Sequence, residues 1–151
     1  SFPTSGRDLP PAGYRDGMVV DPTAQDRLRT DIIAWLTTVT PDGQPQSTPV
    51  WFLWEDGTFL IYSRPGMPKL RNISAHPKVA IHLRGTEAGD DIATFDGTAE
   101  LLEDVSPADQ VPAYVEKYRR EMRRNGWTPA EFAELYSESL RVTPTAARIW
   151  D

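Results

Sequence analysis

The sequence predicts a mainly β, α+β fold, in which six antiparallel strands form a barrel with helices at its flanks. Strand-like runs follow one another through short turns, which is typical of antiparallel pairing. The helical patterns gather late in the chain, which argues against a parallel βαβ sheet. At 151 residues, 39% of them apolar, the chain suits one domain with one core.

The first half of the chain alternates turns with strand-like runs. Residues 1–20 are rich in Pro and Gly and lack periodicity, so they are interpreted as a surface arm, and residues 21–151 as the folded domain. Asp21 is an N-cap followed by a proline, which predicts a short helix to about Arg29. Runs of β-branched and aromatic residues then predict three strands, Ile32–Thr40, Gln46–Trp54 and Thr58–Ser63.

The second half adds helices and three more strands. Two helical turns are predicted at Pro68–Ala75. A capping box at Ser106 predicts a helix that runs to Asn125, and a second one at Thr128 predicts a short helix to about Ser137. The remaining strands are predicted at Lys78–Arg84, Ile92–Glu103 and Arg141–Trp150, and Pro144 places the last strand at an edge or a bulge.

Composition argues against several classes of function. The net charge of −6 disfavours general nucleic-acid binding, and no apolar run is long enough to cross a bilayer. The chain has no cysteine, which excludes disulfides, thiolate metal sites and cysteine nucleophiles. His76 and His82 are its two histidines, and neither has a partner at metal-ligand spacing, so no metal site is predicted. A cytoplasmic protein without a membrane partner is expected.

Residues 46–76 carry the most informative pattern. Two apolar strands flank a turn at 55–57, and the cations Arg64, Lys69 and Arg71 follow at once. Such a surface suits a planar aromatic ring with an anionic tail, so the candidate ligand is a flavin-like phosphate. Lys69 opens a predicted helix, where a cation is unfavourable unless an anion is bound there. An ordinary solvent-exposed lysine is the alternative interpretation.

Several motifs occur in order within residues 30–103. They are a strand ending in TTV, then PDG-P, STPVWF, an acidic turn, YS-R, K-x-R-N-I and the strand HPKVAIHL. Together they resemble the pyridoxamine 5′-phosphate oxidase-like split β-barrel superfamily. The compact chain is most similar to its branch of actinobacterial reductases, which bind the deazaflavin coenzyme F-420. An excess of arginine over lysine, 13 to 3, fits the GC-rich genome of such a source.

The resemblance implies a homodimeric split barrel with two cofactor sites at the subunit interface. The deazaflavin would lie on the second and third strands, and its phosphate would meet the residues after the third strand. The residues implied to bind the cofactor are Ser47, Thr48, Pro49, Val50, Trp51, Tyr62, Ser63, Arg64, Lys69, Arg71 and Asn72. Three have structural alternatives: Ser63 as a strand-end cap, Asn72 as a turn cap, and Pro49 as an edge-strand proline without a ligand.

Three functions remain open at this point. The favoured one is hydride transfer from reduced F-420 to an electron-poor or conjugated small molecule. The alternative enzyme holds FMN in the same site and acts as an oxidase or flavin reductase. The third is a non-catalytic protein that binds F-420, a flavin or haem. No Ser-His-Asp arrangement, P-loop or G-x-G-x-x-G motif appears, so the chemistry would belong to the cofactor and the catalytic residues are unknown.

Overall fold

A computed structural model describes residues 22–89 and 92–150. One antiparallel sheet curls into a half-barrel, with the strand order β2-β1-β5-β6-β7-β4-β3. The strands are β1 (Ala34–Val39), β2 (Pro45–Val50), β3 (Leu53–Glu55), β4 (Thr58–Ser63), β5 (Lys78–Leu83), β6 (Ile92–Leu102) and β7 (Glu138–Trp150). The flanking helices are α1 (Pro22–Thr30), α2 (Pro68–Ala75), α3 (Pro112–Arg124) and α4 (Pro129–Leu135), and a 3₁₀ turn at Ala108–Gln110 precedes α3. The predicted antiparallel split barrel with helical flanks is confirmed. The proposed arm at 1–20 and the Asp21 cap lie outside the described residues.

The predicted count of six strands is wrong, because Gln46–Trp54 forms two strands rather than one. β2 pairs with β1, whereas β3 pairs with β4. Between them, the Phe52 N–H donates to the Tyr118 Oη at 2.8 Å, and the Phe52 carbonyl accepts from the Lys117 Nζ at 2.8 Å. Since α3 binds both backbone groups of Phe52, they are not available to a strand ladder. The chain therefore changes its partner strand at this residue.

Two prolines lie where a strand tolerates them. Pro49 is in β2, an edge strand, opposite Trp35 of β1. Pro144 lies at a register shift between β6 and β7, which confirms the predicted bulge, although β7 is an interior strand. At this shift a Cβ on Gly97 would lie 2.9 Å from the Thr143 carbonyl oxygen, so the close approach of the two backbones needs glycine.

The two predicted capping boxes have different outcomes. At α4 the box is present, because the Thr128 side chain accepts from the Glu131 N–H and the Glu131 carboxylate accepts from the Thr128 N–H. At Ser106 the prediction is wrong, since α3 begins at Pro112 and its N-cap, Val111, makes no side-chain cap. A residue before proline is held in extended conformation, so Val111 (φ −110°) separates the 3₁₀ turn from α3.

Strand β4 is buried on both faces and separates two apolar clusters. Phe59 and Ile61 point into the barrel, where they pack with residues such as Phe95. Leu60 and Tyr62 point outward, where α3 and α4 cover them. Within the described part of the chain, no helix has both the length and the apolar character needed to cross a membrane.

Candidate functional site

A cavity of about 180 Å³ opens where the edge strand β2 ends, between that strand and α4. Its lining comes from the residue before β1, from β2 and its exit, from β4, and from α2 and α4. The lining residues are Ile33, Pro49, Val50, Trp51, Tyr62, Lys69, Phe132 and Tyr136. Five of the residues implied by the sequence resemblance, Pro49, Val50, Trp51, Tyr62 and Lys69, therefore meet in one place.

Stacked aromatic rings form one wall of the cavity. The Trp51 ring stacks on Tyr118, with 4.7 Å between centroids and 6° between planes, and on Phe132 at 5.2 Å. Phe132 in turn stacks on Tyr136 at 4.5 Å. Aromatic rings lose little conformational freedom when they stack, and they offer a flat apolar surface. The wall therefore suits a planar ring.

Lys69 is the cation of this cavity. It is the second residue of α2, after a proline at the first helical position, so it faces the positive end of the helix dipole. Burial lowers the pKa of Lys69, and it forms no ion pair with a described residue. A half-buried ammonium without a counter-charge is unfavourable, and a bound anion would remove that cost.

The Thr48 hydroxyl is a second group without a partner. Its Oγ1 is buried and makes no hydrogen bond within the described residues. Thr48 lies two residues before Val50 in β2, so both side chains are on the same face of the strand. Its neighbour Pro49 lines the cavity from the opposite face of β2, so the Thr48 hydroxyl is a buried, unsatisfied group outside the cavity lining.

Three of the other implied residues are engaged elsewhere or lie at the margin. The Arg64 guanidinium lies 5.1 Å from the Tyr136 ring centroid, at the margin of the cavity, and is exposed. Ser63 is buried and donates to the Arg64 carbonyl at 2.9 Å, which matches its structural alternative as a strand-end cap. Ser47 lies on the opposite face of β2 from Thr48, where its Oγ is 2.7 Å from the Thr37 Oγ1.

The remaining two implied residues belong to α2. Asn72 is buried, and its Nδ2 donates to the Thr38 Oγ1 at 3.0 Å and to the Gln46 Oε1 at 3.1 Å. These bonds join α2 to β1 and β2, so Asn72 holds the helix that carries Lys69. Arg71 is exposed and does not line the cavity.

Tyr62 serves as a wall and not as an acid. Its hydroxyl donates to the Ser106 carbonyl at 2.7 Å, which holds β4 to the segment before the 3₁₀ turn. Burial raises the pKa of Tyr62 to about 12. The hydroxyl is therefore neutral near pH 7, and its proton is already in a hydrogen bond.

Three lining residues were not predicted from the sequence. Phe132 and Tyr136 are four residues apart, the spacing that places two side chains on one helix face, and they follow the capping box of α4. That spacing is a signal that sequence reasoning missed. Ile33 precedes β1 without a motif, so only the fold identifies it.

Comparisons with known proteins identify the family. A family model for pyridoxamine 5′-phosphate oxidase matches residues 20–151. The chain belongs to this family. The predicted superfamily is therefore confirmed. Among curated protein sequences, none matches the chain.

Solved structures share the fold. The conserved hypothetical protein Rv2991 from Mycobacterium tuberculosis is 23% identical with a TM-score of 0.69, covering 91% of this chain and 89% of that one. An F420 reductase is 25% identical with a TM-score of 0.61, covering 85% of this chain and 98% of that one. The haem storage protein HutZ from Vibrio cholerae is 18% identical with a TM-score of 0.64, covering 88% of this chain and 96% of that one. Proteins that share this fold are thus named after different ligands, F420 in one case and haem in another.

Proposed function

We propose that this chain is an oxidoreductase that binds coenzyme F-420 and passes hydride from the reduced deazaflavin to an electron-poor or conjugated small molecule. The observation that carries this proposal is Lys69, a half-buried cation beside an aromatic wall, without a counter-charge among the described residues. A cofactor phosphate supplies that charge. The similarity to an F420 reductase supports the deazaflavin in particular.

The chain's own residues bind, orient and exclude water. Lys69 would hold the phosphate by a charge-assisted hydrogen bond from the wall of the cavity. Trp51, Phe132 and Tyr136 would cover the ring and keep water from it. When bound, the deazaflavin supplies the hydride. No lining residue carries a carboxyl group, and the Tyr62 proton is already in a hydrogen bond, so water would supply the proton that the acceptor takes up after hydride transfer.

FMN is the second candidate for the same cavity, because it also joins a planar ring to a phosphate. A haem-binding role has less support from the lining. Haem iron commonly takes a histidine as its axial ligand. His76 is exposed at the C-cap of α2 and His82 is exposed on β5, and neither lines the cavity.

We further propose that a second copy of the chain completes the site. Pockets for ligands of drug size occupy about 300–1,000 Å³, which exceeds the 180 Å³ of this cavity. Pro49 lines the cavity and lies opposite Trp35, whose side chain is 37% exposed on the outer face of the sheet. A partner on that face would border the mouth of the cavity.

Turnover tests the function directly. Reduced F-420 is mixed with the purified chain and a panel of enones and quinones, and oxidation is followed by the absorbance of the deazaflavin. Enzyme-dependent oxidation that is lost in Lys69→Ala supports the proposal. Tight F-420 binding without turnover on any acceptor would favour a carrier, and turnover with FMN alone would make the chain a flavin enzyme.

A further inference from the structure

A groove of about 340 Å³ lies next to the cavity, across Ile33. The end of α1, the chain leading into β1 and the loop after β5 form it. Its lining residues are Arg27, Thr30, Asp31, Ile32, Ile33, Arg84, Gly85 and Thr86. Because Ile33 lines both the groove and the cavity, the two concave surfaces adjoin.

The groove has more positive than negative charge. Burial raises the pKa of the Asp31 carboxyl, and the nearby charges of Arg27, Lys117 and Arg84 act in the opposite direction without cancelling it. Neither arginine forms an ion pair with a residue that the structure describes. Two arginines and one carboxylate line the groove, a local excess of positive charge in a chain whose net charge is −6. The arrangement therefore has room for one more anionic group.

The ridge between the groove and the cavity is fixed by hydrogen bonds. The Tyr118 hydroxyl donates to the Ile32 carbonyl at 2.7 Å and accepts from the Phe52 N–H at 2.8 Å. Ile32 lines the groove, and Phe52 directly follows Trp51 of the cavity wall. One side chain of α3 thus sets the spacing between the two surfaces.

We propose that Arg27 and Arg84 bind a carboxylate of the acceptor, so that the substrates of this protein are small conjugated or aromatic acids. The reducible part of such an acid lies at the cavity, and its carboxylate crosses Ile33 into the groove. Guanidinium groups match the geometry of a carboxylate and remain charged throughout the pH range of a binding experiment. The inference rests on the proposed function for its claim about substrates, but its claim about binding is tested without turnover.

The test compares two probes of the same shape, naphthalene-2-carboxylate and naphthalene-2-carboxamide. Binding to the full chain is followed by tryptophan fluorescence, since Trp51 lines the cavity. The carboxylate is expected to bind about tenfold more tightly than the amide at low salt, with a smaller difference at high salt. In the double variant Arg27→Gln/Arg84→Gln that preference disappears and amide binding is unchanged. Arg119→Gln/Arg123→Gln, which changes two exposed arginines of α3, is the matched control and keeps the preference.

Two further measurements distinguish an acceptor carboxylate in the groove from a carboxylate in the cavity and from the acidic tail of the cofactor. If Lys69→Ala abolishes the preference and the double arginine variant keeps it, the carboxylate binds in the cavity and the proposal is wrong. If the double variant weakens F-420 binding about tenfold but leaves FMN binding unchanged, the groove holds the cofactor's acidic tail instead of an acceptor. A wild-type chain that prefers the carboxylate through Arg27 and Arg84 but binds no F-420 would overturn the proposed function and leave the groove's role intact.

Discussion

The two ends of the sheet differ in how far their outer faces are buried. On β4, α3 and α4 cover the outward side chains, so that Leu60 is 1% and Tyr62 5% exposed. On β1 and β5, the outward side chains of Trp35 and Ala80 are exposed. The chain thus covers one half of the sheet by itself and leaves exposed side chains, apolar ones among them, on the other. The cavity lies at the boundary, where β2 ends and β3 begins, so residues from both halves line it.

The largest effect is expected on the exposed half, where the proposed second copy would bind. Light scattering at micromolar concentration should give about twice 16.9 kDa for the wild type. Ala80→Arg puts a charge in the middle of this face and should raise the dimer dissociation constant about 100-fold, or about 3 kcal/mol. Glu134→Arg on α4 is the exposed control and should remain dimeric. A wild-type monomer that binds the cofactor fully would reject the second copy.

The next largest effect is expected on cofactor binding, at the cavity between the two halves of the sheet. Lys69→Ala should weaken F-420 binding by about 1.5–3 kcal/mol, the usual contribution of a hydrogen bond to a charged group. Arg71→Ala lies on the same helix but is exposed and away from the cavity lining, so its loss should be smaller. Titration of both variants measures the difference. An unchanged dissociation constant in a folded Lys69→Ala variant would remove the phosphate role.

On the covered half, two buried tyrosines of α3 offer a matched pair. Tyr118→Phe leaves the Phe52 N–H and the Ile32 carbonyl without their partner and should lower the free energy of unfolding by about 1–3 kcal/mol. The Tyr114 hydroxyl is buried without a hydrogen-bond partner in the described residues, so Tyr114→Phe should be neutral or slightly stabilising. Urea unfolding compares the two variants. Equal losses would show that α3 does not hold the cavity wall through the Tyr118 hydroxyl.

Local rules account for the parts of this fold that the sequence predicts. The capping box at Thr128 and the bulge at Pro144 depend on neighbouring residues, and the structure contains both. The predicted second strand is interrupted at Phe52 because Tyr118, 66 residues away, binds its backbone. No local sequence pattern predicts this interruption. The order of strands in the sheet is likewise a non-local property.

The residues of the candidate site also fall into those that local sequence predicts and those that depend on long-range packing. Trp51 and Lys69 are identified by motifs within one stretch of sequence, and the structure brings them into one cavity. Phe132 and Tyr136 come from a helix more than sixty residues downstream, so their contribution depends on how α4 packs over β4. Ser47 belongs to the same motif, but its contact with Thr37 of β1 is a non-local detail that the motif does not specify.

The smallest effect concerns Lys117, which binds the Phe52 carbonyl from the covered half. Burial lowers the pKa of Lys117 to about 8, against 10.5 for an ordinary lysine. Between these values the unfolded chain binds more protons than the folded one, so this lysine makes stability rise with pH through that window. After allowance for solvent screening, the rise is about 1 kcal/mol.

Urea unfolding from pH 7 to 10.5, for the wild type and for Lys117→Met, measures this contribution. The stability of the wild type relative to the variant should increase with pH. Using the difference between the two proteins cancels the opposing titration of the buried tyrosines. A difference that is flat across the window would show that Lys117 is charged and well solvated in the folded protein.

The dissociation constants of F-420 and FMN, measured side by side at low and high salt, test the central claim most directly. Both ligands would offer a phosphate to Lys69, but the acidic tail of F-420 would also meet exposed cations such as Arg64 at the margin of the cavity. The proposal therefore predicts that F-420 binds more tightly than FMN, and that its advantage shrinks as salt screens the exposed charges. Tighter binding of FMN at both salt concentrations would contradict it.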